Sequence, residues 1–271
     1  MPAIPFDVDA LPVAWREATQ DGGANCSVVL LLHGLGGSRL SWEPQLSVLA
    51  ADHRVIAWDV PGYGQSSPLE TVTFAALAAA AADLLGRLGS GPAHVVGISF
   101  GGMIAQYLAA LHPHTVRSLT LLATSPAFGL DGTDPVDWQR ARLGPLDQGQ
   151  QPADFAQAVL RSLAGADIDE RVLGGQVAAM SRVPAEGLRA MISCLVTHDS
   201  RLLLGSIVAP TLVVVGELDH ETPVDYSFAL ADAIAGARLV VVPDVGHLLN
   251  AEAADEINSL ITDHIRRTEP A

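Results

Sequence analysis

Short apolar runs alternate along the chain with longer stretches in which apolar residues recur every three or four positions. The runs suit strands that are buried on both faces of a parallel sheet, and they predict strands at 11–18, 27–32, 54–58, 93–96, 116–123, 210–216 and 238–242. The helical spacing predicts helices at 74–88, 104–111, 224–234 and 251–265, and a polar turn is predicted at 20–24. Strands that alternate with helices indicate a mostly parallel sheet with right-handed crossovers.

This alternation stops between Thr124 and Pro210. A crossover between parallel strands needs roughly one or two dozen residues, so about 60 residues are surplus here. They contain prolines at 135, 145, 152 and 184 and three stretches with helical spacing, at 153–164, 168–180 and 185–198. We therefore predict a helical cap over the edge of the sheet.

A serine turn stands at the end of the strand predicted at 93–96. The sequence Gly97-Ile98-Ser99-Phe100-Gly101 has the Gly-x-Ser-x-Gly pattern of a nucleophile elbow. A strand that reverses directly into a helix brings the two backbones so close that side chains two positions either side of the turn would collide. Glycine at both positions removes the colliding carbons, which leaves Ser99 exposed at the apex as the candidate nucleophile.

A serine hydroxyl needs a base within hydrogen-bonding distance to act as a nucleophile at neutral pH. Of the nine histidines, His247 follows a late strand, and Gly246 before it allows close approach. His53, His112 and His114 stand in predicted turns, where we expect them to be solvated. His247 is therefore the candidate base.

The base in turn needs an acid that orients it. Asp219 lies on the loop after the strand predicted at 210–216, and Glu217 on the same loop is the alternative. The purely structural alternative for Asp219 is to cap the helix that follows. The order Ser99, Asp219, His247 is the order found in α/β-hydrolases.

Two backbone N–H groups are candidates for stabilising the oxyanion that forms on the substrate carbonyl. One is that of Phe100, directly after the candidate nucleophile. The other is that of Leu35, in a glycine-rich loop that follows a buried strand, and we expect His33 to shape this loop. Asp59, after the next strand, is expected to hydrogen-bond the turn that follows it.

Composition narrows the function classes. The chain has 271 residues, of which 49% are hydrophobic and 17% charged, and its net charge is −15. No apolar run reaches the ~18 residues of a membrane span, and an acidic surface repels phosphate backbones and anionic membranes. Cys26 and Cys194 form no metal-ligand pattern, and the N-terminus has no signal-peptide pattern. We expect a cytoplasmic protein that acts on a small molecule, with homo-oligomerisation left open, and with no nucleic-acid or membrane partner.

Five motifs together resemble the α/β-hydrolase fold family across nearly the whole chain: His33-Gly34-Leu35-Gly36-Gly37, Asp59-Val60-Pro61-Gly62-Tyr63-Gly64, Gly97 to Gly102, residues 209–223, and Gly246-His247. Within the family, Met103 after the serine turn and the stretch from Glu186 to Asn250 are most similar to the 3-oxoadipate enol-lactonase-like hydrolases. Members of that group commonly have Met where Phe100 stands, so we expect Phe100 to alter the floor of the pocket.

The resemblance implies an α/β-hydrolase fold, with a core domain of residues 1–126 and 204–271 and a helical cap of residues 127–203 inserted after the sixth strand. It also implies a serine hydrolase that cleaves a small carboxylic ester or lactone through an acyl-enzyme. We expect no cofactor and no metal, since serine chemistry needs none.

Other functions on the same fold stay open. They are a C–C bond hydrolase of vinylogous diketones, a cofactor-free haloperoxidase-like enzyme, and a non-catalytic ligand receptor. Epoxide hydrolases and haloalkane dehalogenases are disfavoured because they use aspartate where Ser99 stands. C–C hydrolases typically have Asn where this chain has Ile98.

The predicted cap is expected to confine the site to small substrates and to supply its specificity. Trp138 and Arg189 are our candidates for contacts with the substrate. Arg189 is one of six arginines in this segment, at 140, 142, 161, 171, 182 and 189. One or two of them are expected to pair with a carboxylate on the substrate.

Overall fold

The computed structural model describes residues 3–20, 26–165 and 167–269. Within them eight strands form one sheet: β1 (Phe6–Val8), β2 (Trp15–Ala18), β3 (Val28–Leu32), β4 (Arg54–Trp58), β5 (Ala93–Ile98), β6 (Val116–Leu122), β7 (Thr211–Gly216) and β8 (Arg238–Val242). The strand order is β1-β2-β4-β3-β5-β6-β7-β8. The pairs β1–β2 and β2–β4 are antiparallel and the other pairs are parallel. The predicted mostly parallel α/β sheet is confirmed.

The helices are α1 (Glu43–Leu49), α2 (Phe74–Leu88), α3 (Phe100–Leu111), α4 (Pro135–Asp147), α5 (Pro152–Leu163), α6 (Glu170–Met180), α7 (Ala185–Leu195), α8 (Arg201–Leu204), α9 (Val224–Ala233), α10 (Leu249–Glu252) and α11 (Ala254–Thr268). Short 3₁₀ turns span Arg39–Trp42 and Pro113–Thr115.

Helices cover the sheet on both faces. Alternate residues of β3 point to opposite sides, as the period of a strand requires. Leu30 packs in the core formed with α2, α3 and α9, whereas Leu31 packs in the core formed with α1 and α11. Burial on both faces explains why the central strands are continuous apolar runs.

Helices α4 to α7 lie between β6 and β7, and we call them the insertion. A helical insertion after the sixth strand is therefore confirmed. In the insertion, α4 packs on α7 and α5 on α6, and α6 also contacts α10 and the turn at Arg39–Trp42. Helix α8 instead packs on α3 and α9, so the expected end of the cap at residue 203 falls inside a helix that flanks the sheet.

Several sequence predictions miss an element or a boundary. The strand predicted at 11–18 begins only at Trp15, and β1 before it was not predicted because this short edge strand is largely exposed. Helix α1 was not predicted, nor was α4, which buries only Leu146 and contains Pro145. The last helix is interrupted at Ala253. Residues 21–24 of the predicted polar turn lie outside the described residues.

His53 also differs from expectation. It is buried rather than solvated, and its Nδ1 lies 2.8 Å from the hydroxyl of Ser27. Burial, the largest influence, lowers the pKa of His53. The hydrogen bond to Ser27 thus gives the buried His53 ring a polar partner within the protein.

Candidate active site

The serine turn joins β5 to α3 with a single residue between them. Ser99 has a φ of 53° and a ψ of −120°, a backbone conformation that is costly for a residue with a side chain. A Cβ on Gly97 would overlap the backbone of Gly101, and a Cβ on Gly101 would overlap the carbonyl of Leu32. Close backbone contact therefore requires both glycines, Gly97 within the turn as the sequence predicts and Gly101 against the neighbouring strand β3.

The backbone of Ser99 is held on both sides. Its N–H donates to the carbonyl of Leu122 at 2.9 Å, and its own carbonyl accepts from the hydroxyl of Thr124 at 2.8 Å. Both partners stand at or just beyond the end of β6. The strained turn is thus fixed by the neighbouring strand, and the Ser99 hydroxyl is free to bond elsewhere.

The structure brings Ser99, His247 and Asp219 into one hydrogen-bonded line. The Ser99 Oγ lies 3.0 Å from His247 Nε2, and His247 Nδ1 lies 2.8 Å from Asp219 Oδ2. The side chains of His247 and Asp219 are buried. The three residues come from the ends of β5, β7 and β8, which meet because the carboxyl ends of parallel strands share one edge of a sheet.

Electrostatics favour one arrangement of the protons. Burial lowers the pKa of His247, but the negative charge and hydrogen bond of Asp219, with the charges of Glu221 and Glu252, outweigh burial and raise it. Burial raises the pKa of Asp219, yet His247 and hydrogen bonds from Thr222 bring it below its usual value. Asp219 is therefore ionised and accepts the Nδ1 proton, which leaves the Nε2 lone pair to accept from the Ser99 hydroxyl.

Asp219 also organises its own loop. Its Oδ1 accepts the N–H groups of Glu221 and Thr222, both at 2.9 Å, and its Oδ2 accepts the Thr222 hydroxyl at 2.8 Å. The alternative acid, Glu217, is exposed and accepts the N–H of Asp244 at 3.3 Å. Of the two acids, the structure places Asp219 beside the histidine.

Glu252 supports the histidine and was missed in the sequence. Its Oε2 accepts the N–H of Gly246 at 3.0 Å and its Oε1 that of Leu248 at 2.8 Å, so one carboxylate holds both residues that flank His247. The Oε2 also accepts the N–H of Gly165, which follows α5, at 2.7 Å. The sequence did contain one signal for this role, an acid five positions after the histidine and close to the start of a helix. Acids at such positions accept backbone N–H groups that have no partner within the helix.

The insertion also contacts the histidine directly. The backbone N–H of His247 donates to the carbonyl of Leu163, the last residue of α5, at 2.9 Å. A Cβ on Gly246 would overlap the backbone N of Gly165. The glycine expected to allow close approach does so, and what approaches is the end of α5.

The two proposed oxyanion donors lie near Ser99. Leu35 lines the same cavity as Ser99, and a Cβ on Gly34 would lie 3.4 Å from the Ser99 Cβ. The N–H of Phe100 belongs to the first turn of α3, where N–H groups have no partner within the helix. The Phe100 ring is buried 5.4 Å from the ring of Phe74 and does not line the cavity, so the expectation that it alters the pocket floor is wrong.

His33 holds the glycine loop, as expected. Its Nε2 accepts the N–H of Val60 at 3.1 Å, so its proton is on Nδ1, which donates to the carbonyl of Gly34 at 2.9 Å. Burial lowers the pKa of this histidine. Asp59 bonds the turn after it through its backbone carbonyl, which accepts the Ser66 hydroxyl at 2.7 Å, whereas its side-chain Oδ1 accepts the N–H of Arg39 at 2.9 Å.

Two cavities meet at Ser99. The first has a volume of about 230 Å³, lies under the insertion and is lined mostly by apolar side chains, among them Phe155, Leu160, Met180 and Ile192. The second has a volume of about 220 Å³ and a more polar lining.

Trp138 lines both cavities, whereas Arg189 lines neither of them and pairs with Asp147 on the outside of the insertion. The structure therefore moves the candidate arginine from Arg189 to Arg142, which lines both cavities.

Two absences apply to residues 3–20, 26–165 and 167–269. Within these three ranges, no helix combines the length and the apolar character that crossing a membrane requires. Nor do three or more His, Cys, Asp or Glu side chains gather there in a way that could hold a metal ion. The expectation of metal-independent chemistry stays a prediction.

Comparisons with known proteins agree with this architecture. A family model described as the alpha/beta hydrolase fold matches residues 27–254. The chain is 35% identical over 229 residues to a pimeloyl-(acyl-carrier protein) methyl ester esterase of Chromobacterium violaceum, with 81% of this chain and 86% of the relative covered.

Two solved structures extend the likeness over nearly the full length. The enol-lactonase of Burkholderia xenovorans LB400 has a TM-score of 0.85 at 26% identity, covering 96% of this chain and 100% of its own. A thermophilic esterase of Thermogutta terrifontis has a TM-score of 0.81 at 26% identity, with 100% of both chains covered. Because the family model spans most of the chain and the relatives match along most of their lengths, the chain belongs to the α/β-hydrolase fold family.

Proposed function

We propose that the protein is a serine hydrolase that cleaves small carboxylic esters or lactones through an acyl-enzyme. The observation that carries this proposal is the continuous line from Ser99 Oγ to His247 Nε2 and from His247 Nδ1 to Asp219 Oδ2, with distances of 3.0 and 2.8 Å. A nucleophile, a base and an orienting acid in that order are what acyl transfer by serine requires.

The first half of the reaction forms the acyl-enzyme. Ser99 Oγ attacks the substrate carbonyl carbon while its proton passes to His247 Nε2. The carbonyl oxygen becomes an oxyanion that accepts the N–H groups of Leu35 and Phe100. Collapse of this intermediate breaks the bond to the leaving oxygen, which takes the proton from His247.

The second half repeats these steps with water. His247 takes a proton from a water molecule, whose oxygen attacks the acyl carbon, and Ser99 leaves with that proton restored. Asp219 stays ionised throughout and stabilises the imidazolium that forms in each half. Since proton and electron pair balance in both halves, the chemistry needs no cofactor.

Esters and lactones are proposed as the substrate class for two reasons. One relative is named a methyl ester esterase and one structural neighbour an enol-lactonase. In addition, the apolar first cavity of about 230 Å³ suits a short acyl chain rather than a long lipid chain.

The test is hydrolysis of p-nitrophenyl esters of increasing acyl length. We expect the best kcat/KM between acetate and butyrate and little activity at decanoate. Ser99→Ala should lower kcat roughly 10⁴- to 10⁶-fold, while Ser259→Ala, exposed on α11, should leave it unchanged. Near-full activity in Ser99→Ala would contradict the serine mechanism, and undiminished decanoate hydrolysis would contradict the small substrate.

A further inference from the structure

Four side chains form the wall between the two cavities. Trp138 and Arg142 from α4, Leu195 from α7 and Glu221 from the Asp219 loop line both cavities, which otherwise share Ser99. A substrate carbonyl at Ser99 therefore lies against this wall, whichever cavity holds its acyl group. The charge carried by the wall decides which substituents the site accepts.

Arg142 is the sole arginine among the described residues that line these cavities, and the chain contains no lysine. Apart from His247 and the wall residues, the first cavity is lined by uncharged side chains. The second cavity adds the carboxylate of Asp131 and the ring of His220. A carboxylate on a substrate thus has a single cation to pair with.

The guanidinium of Arg142 is already paired within the protein. Its Nη2 donates to both carboxylate oxygens of Glu221, at 3.0 and 3.1 Å. Its guanidinium carbon lies 5.0 Å from the centre of the Trp138 ring, so one face of the group is covered as well. The side chains of Arg142 and Glu221 are 34% and 32% exposed, so a ligand in the cavity can still reach the pair.

From this geometry we propose that the Arg142–Glu221 pair makes the site selective for esters that carry no negative charge on the acyl group. An acidic substrate must displace Glu221 from Arg142, which leaves Glu221 unpaired beside it. Glu221 thus occupies the place that a substrate carboxylate would take. This selectivity rests on the proposed ester hydrolysis, and it replaces the expectation that arginines of this segment pair with a substrate carboxylate.

Glu221→Gln is the informative change. The amide keeps the shape of the side chain, and the backbone N–H of residue 221 can still donate to Asp219 Oδ1. It removes the charge that holds Arg142, so the guanidinium becomes available to a ligand. A charge-assisted hydrogen bond that is one-third exposed corresponds to a change of about tenfold in preference.

The substrates for the test are methyl pentanoate and monomethyl glutarate, which share the methyl ester and the acyl length but differ in charge. Rates are followed by proton release at a pH on the alkaline plateau of each variant's own kcat/KM profile. The ratio of the two kcat/KM values cancels any general effect on the catalytic groups. We expect the wild type to favour the neutral ester and Glu221→Gln to lower its advantage about tenfold.

Two further variants fix the interpretation. Arg142→Met leaves Glu221 as an unpaired anion and should raise the advantage of the neutral ester. Asp147→Asn is the matched control, because it removes one of the two carboxylate partners of Arg189, an arginine of the same insertion that lines neither cavity, and it should leave the ratio unchanged. An unchanged ratio in Glu221→Gln, with both esters still hydrolysed, would overturn the proposal.

A binding measurement separates this proposal from the proposed reaction. In the Ser99→Ala background, Glu221→Gln should tighten the calorimetric Kd of monomethyl glutarate about tenfold. If the Kd tightens while the protein with Ser99 intact hydrolyses no ester, the selectivity stands and the proposed reaction fails. If esters are hydrolysed while neither the ratio nor the Kd changes, the reaction stands and the selectivity fails.

Discussion

The serine turn and the loop that carries His247 are held in place in different ways. The turn at residues 97–101 is fixed within the sheet, since a Cβ on Gly97 would overlap Gly101 in the same turn and a Cβ on Gly101 would overlap Leu32 of the neighbouring strand β3. The loop at residues 244–248 is fixed by Glu252 and by the end of α5. The residue of α5 that bonds His247 is Leu163, which lies 84 positions earlier in the sequence. The nucleophile is positioned by the sheet that carries it, and the base is positioned by Glu252 and by the insertion.

This difference gives the insertion a second role. It covers the first cavity, and the backbone at Leu163 and Gly165 also bonds the histidine loop and Glu252. A shift of α5 relative to the core would therefore displace His247 as well as change the shape of the first cavity. The nucleophile has no such dependence, because its backbone partners Leu122 and Thr124 belong to the end of β6.

The largest effect is expected where the serine turn is broken. In Gly101→Ala, the new Cβ would overlap the backbone of Leu32 and His33, which cannot move aside as a flexible side chain can. We expect a loss of more than about 4 kcal/mol in the free energy of unfolding and a fall in Tm of roughly 10 °C, measured by thermal denaturation. The control is Gly86→Ala, exposed in α2 with open space around it, which should stabilise slightly. Equal Tm values for the two variants would disprove the steric account.

The next effect concerns the acid that orients the base. Asp219→Asn removes the acceptor of the His247 Nδ1 proton, and kcat should fall roughly 10³- to 10⁴-fold because the other tautomer is favoured. Glu217→Gln, on the same loop but turned toward Asp244, should change kcat little. The measurement is the kcat of each variant on one ester. A larger loss of kcat in Glu217→Gln than in Asp219→Asn would assign the orienting acid to Glu217.

A smaller effect is expected at Glu252, and it tests the tertiary support of the base. Glu252→Gln keeps one acceptor oxygen and leaves at least one of its backbone N–H partners unpaired, so kcat/KM should fall roughly 10- to 100-fold. The charge of Glu252 helps to raise the pKa of His247, whose neutral form is the base. Activity is therefore lost as the pH falls through this raised pKa, and the acidic limb of kcat/KM should move to lower pH in the variant.

The matched control for this change is Glu256→Gln, in the first turn of α11 and exposed. It removes the same charge nearby without touching the histidine loop, so neither the rate nor the acidic limb should change. A Glu252→Gln enzyme with the wild-type rate and pH profile would show that the histidine loop does not depend on that carboxylate.

The same contrast explains what the sequence could predict. The bounds of β4 and α2 agree with their predicted ranges because burial on both faces, or on one helical face, leaves a regular apolar pattern. The glycines of the serine turn could be predicted because they stand in one contiguous Gly-x-Ser-x-Gly pattern. Helix α4 leaves no such pattern, since Leu146 is its sole buried residue and Pro145 lies inside it.

Contacts between distant segments could not be predicted in this way. Nothing in the local pattern marks Glu252 as the acceptor of the Gly165 N–H, 87 positions away. Arg142 and Arg189 belong to the same insertion, and only the packing of α4 on α7 decides that Arg142 faces the cavities. The sequence left Asp219 and Glu217 as candidates for the orienting acid, and the folded structure shows that Asp219 is the one beside His247.

The central claim is that Ser99 is a nucleophile activated by His247, and covalent labelling tests it most directly. A fluorophosphonate should add once per chain, at Ser99, as found by intact-mass and peptide mass spectrometry, and the labelling rate should fall as the pH drops through the raised pKa of His247. Ser99→Ala should not be labelled. An adduct on another serine such as Ser125, which lines the second cavity, or no adduct on the folded protein, would contradict the account.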